Sequence, residues 1–314
     1  MPRNIRYMPK PHTVFEIKTQ TTGSRLLLRP SREVNSLVIG VLGCALELHE
    51  SVRLYAFVVM SNHVHMLVSA PNQMTLSAFM CYVNTNISKE IMSLYGLTDH
   101  FWGRRYSAIP VLDDEAIEER ARDILSHGCK EGLVRSPLDW PGASSASALV
   151  YGKKIIGRWI DRTSASASRN NADFDWKQFT RQVEVRLSTL PFLRGKSEFE
   201  QRKYWSDVVQ EIIVETDDWL KRTGGLTLGK KQIMRQNPLH KPTSPKKLLE
   251  PTCHTRLGCL KRFYDQAYQI FVSTFKNASQ RLRNGEVSAL NDFPPGSFAP
   301  CMPTRTWNLA LPSI

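Results

Sequence analysis

Acidic residues are scarce in this chain: 29 Asp and Glu face 42 Lys and Arg over 314 residues, a formal net charge of +13 at pH 7. Such an excess disfavours basic partners and suits a polyanion, with nucleic acid ahead of an anionic membrane surface. Long apolar runs are also missing, which excludes a spanning segment. The opening Met1-Pro2-Arg3-Asn4-Ile5-Arg6 has none of the apolar character of a secretory leader, so a cytoplasmic protein with no membrane partner is expected. Paired cysteine spacing is absent too. Cys44, Cys81, Cys129, Cys253, Cys259 and Cys301 are scattered, which excludes a disulfide scaffold and a zinc ribbon.

What is present is a hydrophobic fraction of 41%, enough for a real core, and a length that admits two domains or one domain with a large extension. The most informative stretch runs from Tyr55 to Val68. Two apolar, β-branched runs flank Ser61-Asn62, which reads as adjacent strands joined by a tight turn. His63 and His65 open the second strand two residues apart, so a period of two puts both rings on one face. Two nitrogen ligands on one strand make half a metal site; the same spacing also occurs in ordinary strand histidines.

Around that stretch the periodicity predicts a strand near Val14 to Lys18, a short strand at Leu26-Leu27-Leu28, and an amphipathic helix over 31–50 capped by Ser31. Strands at 54–60 and 63–69 follow, then a helix from a Thr75 cap to Gly96, a strand over 106–112, and a third helix from Asp113 to Gly128. This order is that of split βαβ units. It predicts an α+β fold: a ferredoxin-like antiparallel sheet palm with helices on one face, followed by a mostly helical basic C-terminal extension.

The expected division is a palm at 1–150, a linker at 151–173 and a helical, basic, DNA-binding extension at 174–314. Ser164 to Ser168 with Asn170 and Asn171 suggests the linker. Helical patterns are expected near 174–190, 197–222 and 257–283. Between the last two, basic residues from Lys221 to Arg262 are opposed only by Glu250, while Pro238 and Pro242 keep the segment from being one helix. An arm lying on phosphates or a solvated face both suit this composition. Candidate DNA-binding residues are Arg104, Arg105, Lys130, Lys230, Lys231, Arg235, Lys246 and Lys247. Trp102, Tyr106, Tyr151 and Trp159, interleaved with Arg104, Arg105, Lys153, Lys154 and Arg158, could stack bases or simply pack.

Ser61-Asn62-His63-Val64-His65 resembles the HUH motif (histidine, bulky hydrophobe, histidine) of single-tyrosine transposases, and most of all the REP-associated tyrosine transposases of the IS200-like superfamily. Leu27 to Ser31, Phe101 to Tyr106, Asp113-Asp114-Glu115, Gly132-Leu133-Val134 with Trp140-Pro141, and Leu228 to Lys231 with Arg235 to Pro238 extend the likeness. The resemblance implies a ferredoxin-like palm that handles single-stranded or hairpin DNA, often as a homodimer. It also implies a divalent ion, Mg²⁺ or Mn²⁺, on His63, His65 and a third ligand, and a tyrosine on the third helix that attacks the scissile phosphate.

Alignment on Gly132-Leu133-Val134 places that tyrosine position at Asp123 and the ligand four residues on at His127. The chain thus resembles a degenerate member lacking the motif tyrosine. Spacing of four sets both side chains on one helical face. An acyl phosphate on a carboxylate would hydrolyse, so reversible strand transfer through Asp123 is disfavoured. Three readings stay open. Tyr106 could substitute as nucleophile. His63, His65, His127 and Asp123 could hold a metal that activates water in a nuclease. A catalytically inactive, transposase-derived protein could still bind DNA or regulate.

Overall fold

The computed structural model describes residues 7–169, 173–242 and 250–299. β1 (Val14–Gln20) is followed by α1 (Arg32–Leu48), β2 (Arg53–Val59), β3 (His63–Ser69), α2 (Gln73–Tyr95), β4 (Ser107–Val111) and α3 (Asp114–Lys130). Each helix starts where side-chain chemistry permits. Ser31 accepts from the Val34 amide, Asn72 from Thr75 and Asp113 from Ala116, satisfying amides that have no partner within the helix. Thr75, expected as a cap, is instead the residue capped. α2 closes at Gly96, whose φ of 63° is the left-handed conformation glycine adopts most readily.

The four strands form one antiparallel sheet in the order β2-β3-β1-β4. This is the ferredoxin-like arrangement expected. Strand alternation gives the sheet two different faces. Phe15, Ile17, Val64, Met66 and Val68 meet α1 and α2 in one core, together with Val38, Leu42, Phe79 and Val83. Val14, Tyr55, Val58 and Leu67 point the other way, beneath Ile117, Ile124 and Leu125 of α3. Helices therefore cover both faces. α3 does not stop at Gly128, which is buried where an added Cβ would lie 3.1 Å from Val134 and 3.2 Å from Trp140.

Leu26-Leu27-Leu28 forms no strand. Its amides are satisfied irregularly, Leu26 donating to His240 O and Leu28 to Ser61 O, while all three side chains are buried. That burial is why the run reads like a strand.

The chain continues with α4 (Ala146–Tyr151), β5 (Ile155–Ile160), α5 (Arg162–Ser168), β6 (Thr180–Val185), α6 (Glu198–Thr223), α7 (Lys230–Arg235) and α8 (Gly258–Arg283). Two expectations are corrected here. The stretch 151–173, expected as linker, holds β5 and α5 over its described residues, and the pattern near 174–190, expected as helix, contains β6. β5 and β6 pair antiparallel as a ribbon on α1. Glycine makes this contact: a Cβ at Gly40 would lie 2.0 Å from the Arg158 carbonyl oxygen, and one at Gly157 would lie 2.3 Å from the Gly40 nitrogen. Backbone meets backbone there, which no side-chain periodicity announces.

α6 and α8 match the expected helices. The extension shares a core with the palm, since Leu190, Leu193, Trp205, Val209, Ile212 and Ile233 pack beside Ile124 and Val58. A segment ahead of α8 runs along β4, where the His254 amide donates to Pro110 O and the Leu112 amide donates to His254 O. Among the described residues no helix is long and apolar enough to cross a membrane.

Candidate metal centre

β3 enters from a turn in which Asn62 and His63 are neighbours, and its alternation sends His63 and His65 to the α3 face. Val64 faces the opposite core. On β1, register places Gln20 opposite His63 and Lys18 opposite His65. α3 crosses above and supplies His127 from its last turn. One ligand atom from each of the three histidines lies within 4.8 Å of the others. His63 Nε2 and His127 Nε2 are 2.9 Å apart, and His63 Nδ1 lies 2.6 Å from Asn62 Oδ1. Because that amide oxygen can only accept, His63 carries its proton on Nδ1 and turns the Nε2 lone pair inward.

Burial sets the charge of this cluster. His63 is held well below the usual imidazole range by burial first and then by His65, His127 and Lys18. His127 is pushed down to about 3 by burial and by His65, with Asp123 opposing. Both rings are therefore neutral at pH 7, the form that binds a cation. Neither buried ring nitrogen of His65 makes a hydrogen bond, although Glu16 stands 3.5 Å from Nδ1, so a nitrogen lone pair is left available to a cation. Two nitrogens each about 2.1 Å from a shared octahedral ion stand about 3 Å apart, close to the His63 to His127 separation. The residues fit a divalent ion on nitrogen donors.

Three residues of this centre have no local signal. Glu16 on β1, 8% exposed, places one oxygen 3.5 Å from His65 Nδ1 and the other 2.7 Å from His254 Nε2. Burial alone would raise its carboxyl pKa, but the contacts with His254 and His65 win and hold it well below the usual carboxylate range. Lys18 adds positive charge on the same strand. Only the β1 register, read with the β3 pattern, could have suggested Glu16 and Lys18; His254 lies in a segment with no periodicity.

The remaining expected residues are distributed unevenly. Asp123 sits one turn before His127 on α3 and is tied to Arg120 at 3.3 Å and to Lys130. Tyr106 is buried in the core formed with α1 and α2, on the face of the sheet opposite the histidines. It is not brought to the centre, because the strand's alternation turns it away. Arg104 pairs with Glu250 at 2.8 Å, whereas Arg105 is exposed. Lys230, Lys231 and Arg235 are exposed on α7; Lys246 and Lys247 lie outside the described residues, as do Asn170 and Asn171. The aromatic set does not form one platform. Trp102 donates to Asn84 O at 2.8 Å and packs on Phe101, Trp159 packs on Tyr82, and Tyr151 alone stands out beneath Lys153.

Residues 41–124 match the family model described as transposase IS200 like. The matched segment takes in β2, β3, α2, β4 and the first part of α3, so it contains His63, His65 and Asp123 but ends before His127. This transposase-like segment supports a role in DNA transposition. Among solved structures, the chain is similar to a REP-associated tyrosine transposase bound to a REP hairpin. The identity is 19% over 46% of this chain and 82% of that one, with a TM-score of 0.34. It is also similar to a candidate transposase from Deinococcus radiodurans R1, at 16% identity over 38% of this chain and 90% of that one, with a TM-score of 0.28. No curated protein matches the chain.

Proposed function

We propose that this transposase-like protein binds single-stranded or hairpin DNA, with His63, His65 and His127 holding a divalent cation against a backbone phosphate. The observation that carries the reading is the convergence of three imidazoles from β3 and α3, with neither buried ring nitrogen of His65 hydrogen-bonded. Of Mg²⁺ and Mn²⁺, an all-nitrogen set favours Mn²⁺, because Mg²⁺ prefers oxygen ligands. Bound there, the ion supplies charge neutralisation for the phosphate. The chain's own part is to keep His63 and His127 unprotonated by burial, to orient His63 through Asn62, and to add Lys18 beside the site. Exposed Lys230, Lys231, Arg235 and Arg105 supply sequence-independent attraction to the strand, with Lys246 and Lys247 assigned the same role from their charge.

Covalent strand transfer through a phenolate on α3 is not part of this proposal. Position 123 is a carboxylate already engaged by Arg120 and Lys130. The reading is therefore binding and metal-assisted phosphate positioning, with a cytoplasmic location. A labelled single-stranded hairpin oligonucleotide, mixed with the protein and Mn²⁺, tests it on native and denaturing gels. Retardation that weakens steeply with salt, with no covalent adduct, is expected. Free cleaved product would add activated water as nucleophile, and failure to bind any single-stranded or hairpin DNA at low salt overturns the proposal.

A further inference from the structure

Metal centres are tuned by the groups behind their ligands. A ligating histidine usually donates its second ring N–H to a carboxylate or carbonyl, which fixes tautomer and ring angle. Here the group behind His65 is Glu16, and Glu16 is in turn engaged by a residue delivered from the far end of the chain. Residues 250–257 lie against the edge of the sheet through several independent contacts. The backbone of His254 bonds to both Pro110 and Leu112, the Thr255 hydroxyl and Arg256 amide both donate to Asp113 Oδ2, Arg256 pairs with Glu119 at 3.0 Å, and Glu250 pairs with Arg104. That register aims His254 inward, with its side chain 16% exposed and Nε2 2.7 Å from Glu16 Oε2.

We propose that His254 is a positioning residue of the metal centre: paired at 2.7 Å with one oxygen of Glu16, it holds the carboxylate so that the other oxygen, 3.5 Å from His65 Nδ1, takes the Nδ1 proton when a cation engages the His65 Nε2 lone pair beside His63 and His127. The C-terminal extension thereby completes a site whose three ligands all come from the palm. This inference rests on the reading that the three histidines hold a divalent cation. The geometry explains two facts together. A carboxylate is buried on the α3 face of the sheet beside His65, and the edge of β4 is occupied by a segment that brings one histidine to that carboxylate. Without the His254 donor, the buried carboxylate keeps one oxygen unsatisfied and is free to turn away from His65.

The test uses the full chain and reads metal binding. Mn²⁺ affinity is measured by titration calorimetry, and the visible absorption of the Co²⁺-substituted protein reports ligand geometry, for wild type, His254→Ala, His254→Gln and Glu16→Gln. Thermal melts confirm that each variant is folded. His254→Ala and Glu16→Gln are expected to weaken Mn²⁺ binding about 10- to 100-fold and shift the Co²⁺ bands. His254→Gln, whose amide still donates, is expected to stay within about threefold of wild type.

Wild-type affinity in His254→Ala overturns the inference and leaves the metal site standing. Equal losses in His254→Ala and His254→Gln also overturn it, because packing and not donation would then matter. A wild-type protein that binds neither ion overturns this inference and the metal reading together. If His254→Ala does not fold, His254→Gln and Glu16→Gln still decide the matter.

Discussion

The two faces of one sheet do different work, and β3 shows how. Its even-numbered residues Val64, Met66 and Val68 pack against α1 and α2, where the described core is apolar apart from the rim. Its odd-numbered residues His63 and His65 face α3 and share their layer with Glu16, Lys18, His127 and His254. A period of two lets one strand hold the fold together and carry a polar site, provided each face has its own helical cover. The polar face has a cost in burial that only a ligand or a matched partner offsets, which is why its atoms without partners mark the site.

Exchanging the roles of the faces should give the largest effect. His65→Ala or His127→Ala is expected to reduce Mn²⁺ affinity at least about 100-fold while changing stability by less than about 1.5 kcal/mol, since the His65 ring makes no hydrogen bond and the His127 ring meets only that of His63. Leu42→Ala on the other face should do the reverse. Urea unfolding is expected to show a loss of about 2–5 kcal/mol, with Mn²⁺ affinity unchanged. If either variant moved both quantities, the separation of the faces would be wrong.

Gly40→Ala tests the ribbon that covers the far side of α1. Its Cβ would strike the Arg158 carbonyl, so a loss of about 1–3 kcal/mol or more is expected in the same denaturation assay.

Acid acts strongly on the α3 face, because His127 there titrates far below its ordinary value. His127 has a folded pKa of about 3, below the ordinary value of 6.5 that it regains on unfolding. The unfolded chain therefore binds more protons below pH 6.5. The stability associated with His127 is fully present above that pH and is lost as pH falls from 6.5 toward 3, by up to about 1.4 kcal/mol per pH unit. His127→Gln is expected to flatten that part of the metal-free stability curve, measured by urea midpoints across pH.

The smallest effect belongs to Asp123→Asn. Its pairs with Arg120 and Lys130 lie near the surface, so thermal denaturation should register a change below about 1 kcal/mol. A much larger loss would mean that Asp123 holds the α3 face together, not merely its rim.

The legibility of these features follows their range along the chain. The helix starts at Ser31 and Asp113, the glycine end of α2 and the four palm strands depend on patterns a few residues long, and they were readable. The pair His63 and His65 was readable for the same reason. His127 entered only through the resemblance, and the place of Tyr106 near the arginines says nothing of which face it takes; it packs on the α1 and α2 side. The segment around β5 and β6 was misread because its partner is a glycine on α1, a contact between backbones distant in sequence.

Local chemistry in the sequence alone determined the order of strands and helices, the alternation that separates His63 from Val64, the basic excess, and the absence of tyrosine at position 123. Only the tertiary structure decided that α3 lies over the histidine face, that Tyr106 belongs to the other side, and that Glu16 and His254 stand behind His65. The physical reason is that periodicity specifies which residues share a face. What that face meets is set by packing among segments far apart in the chain, and a contact such as Glu16 with His254 leaves no repeat in either segment.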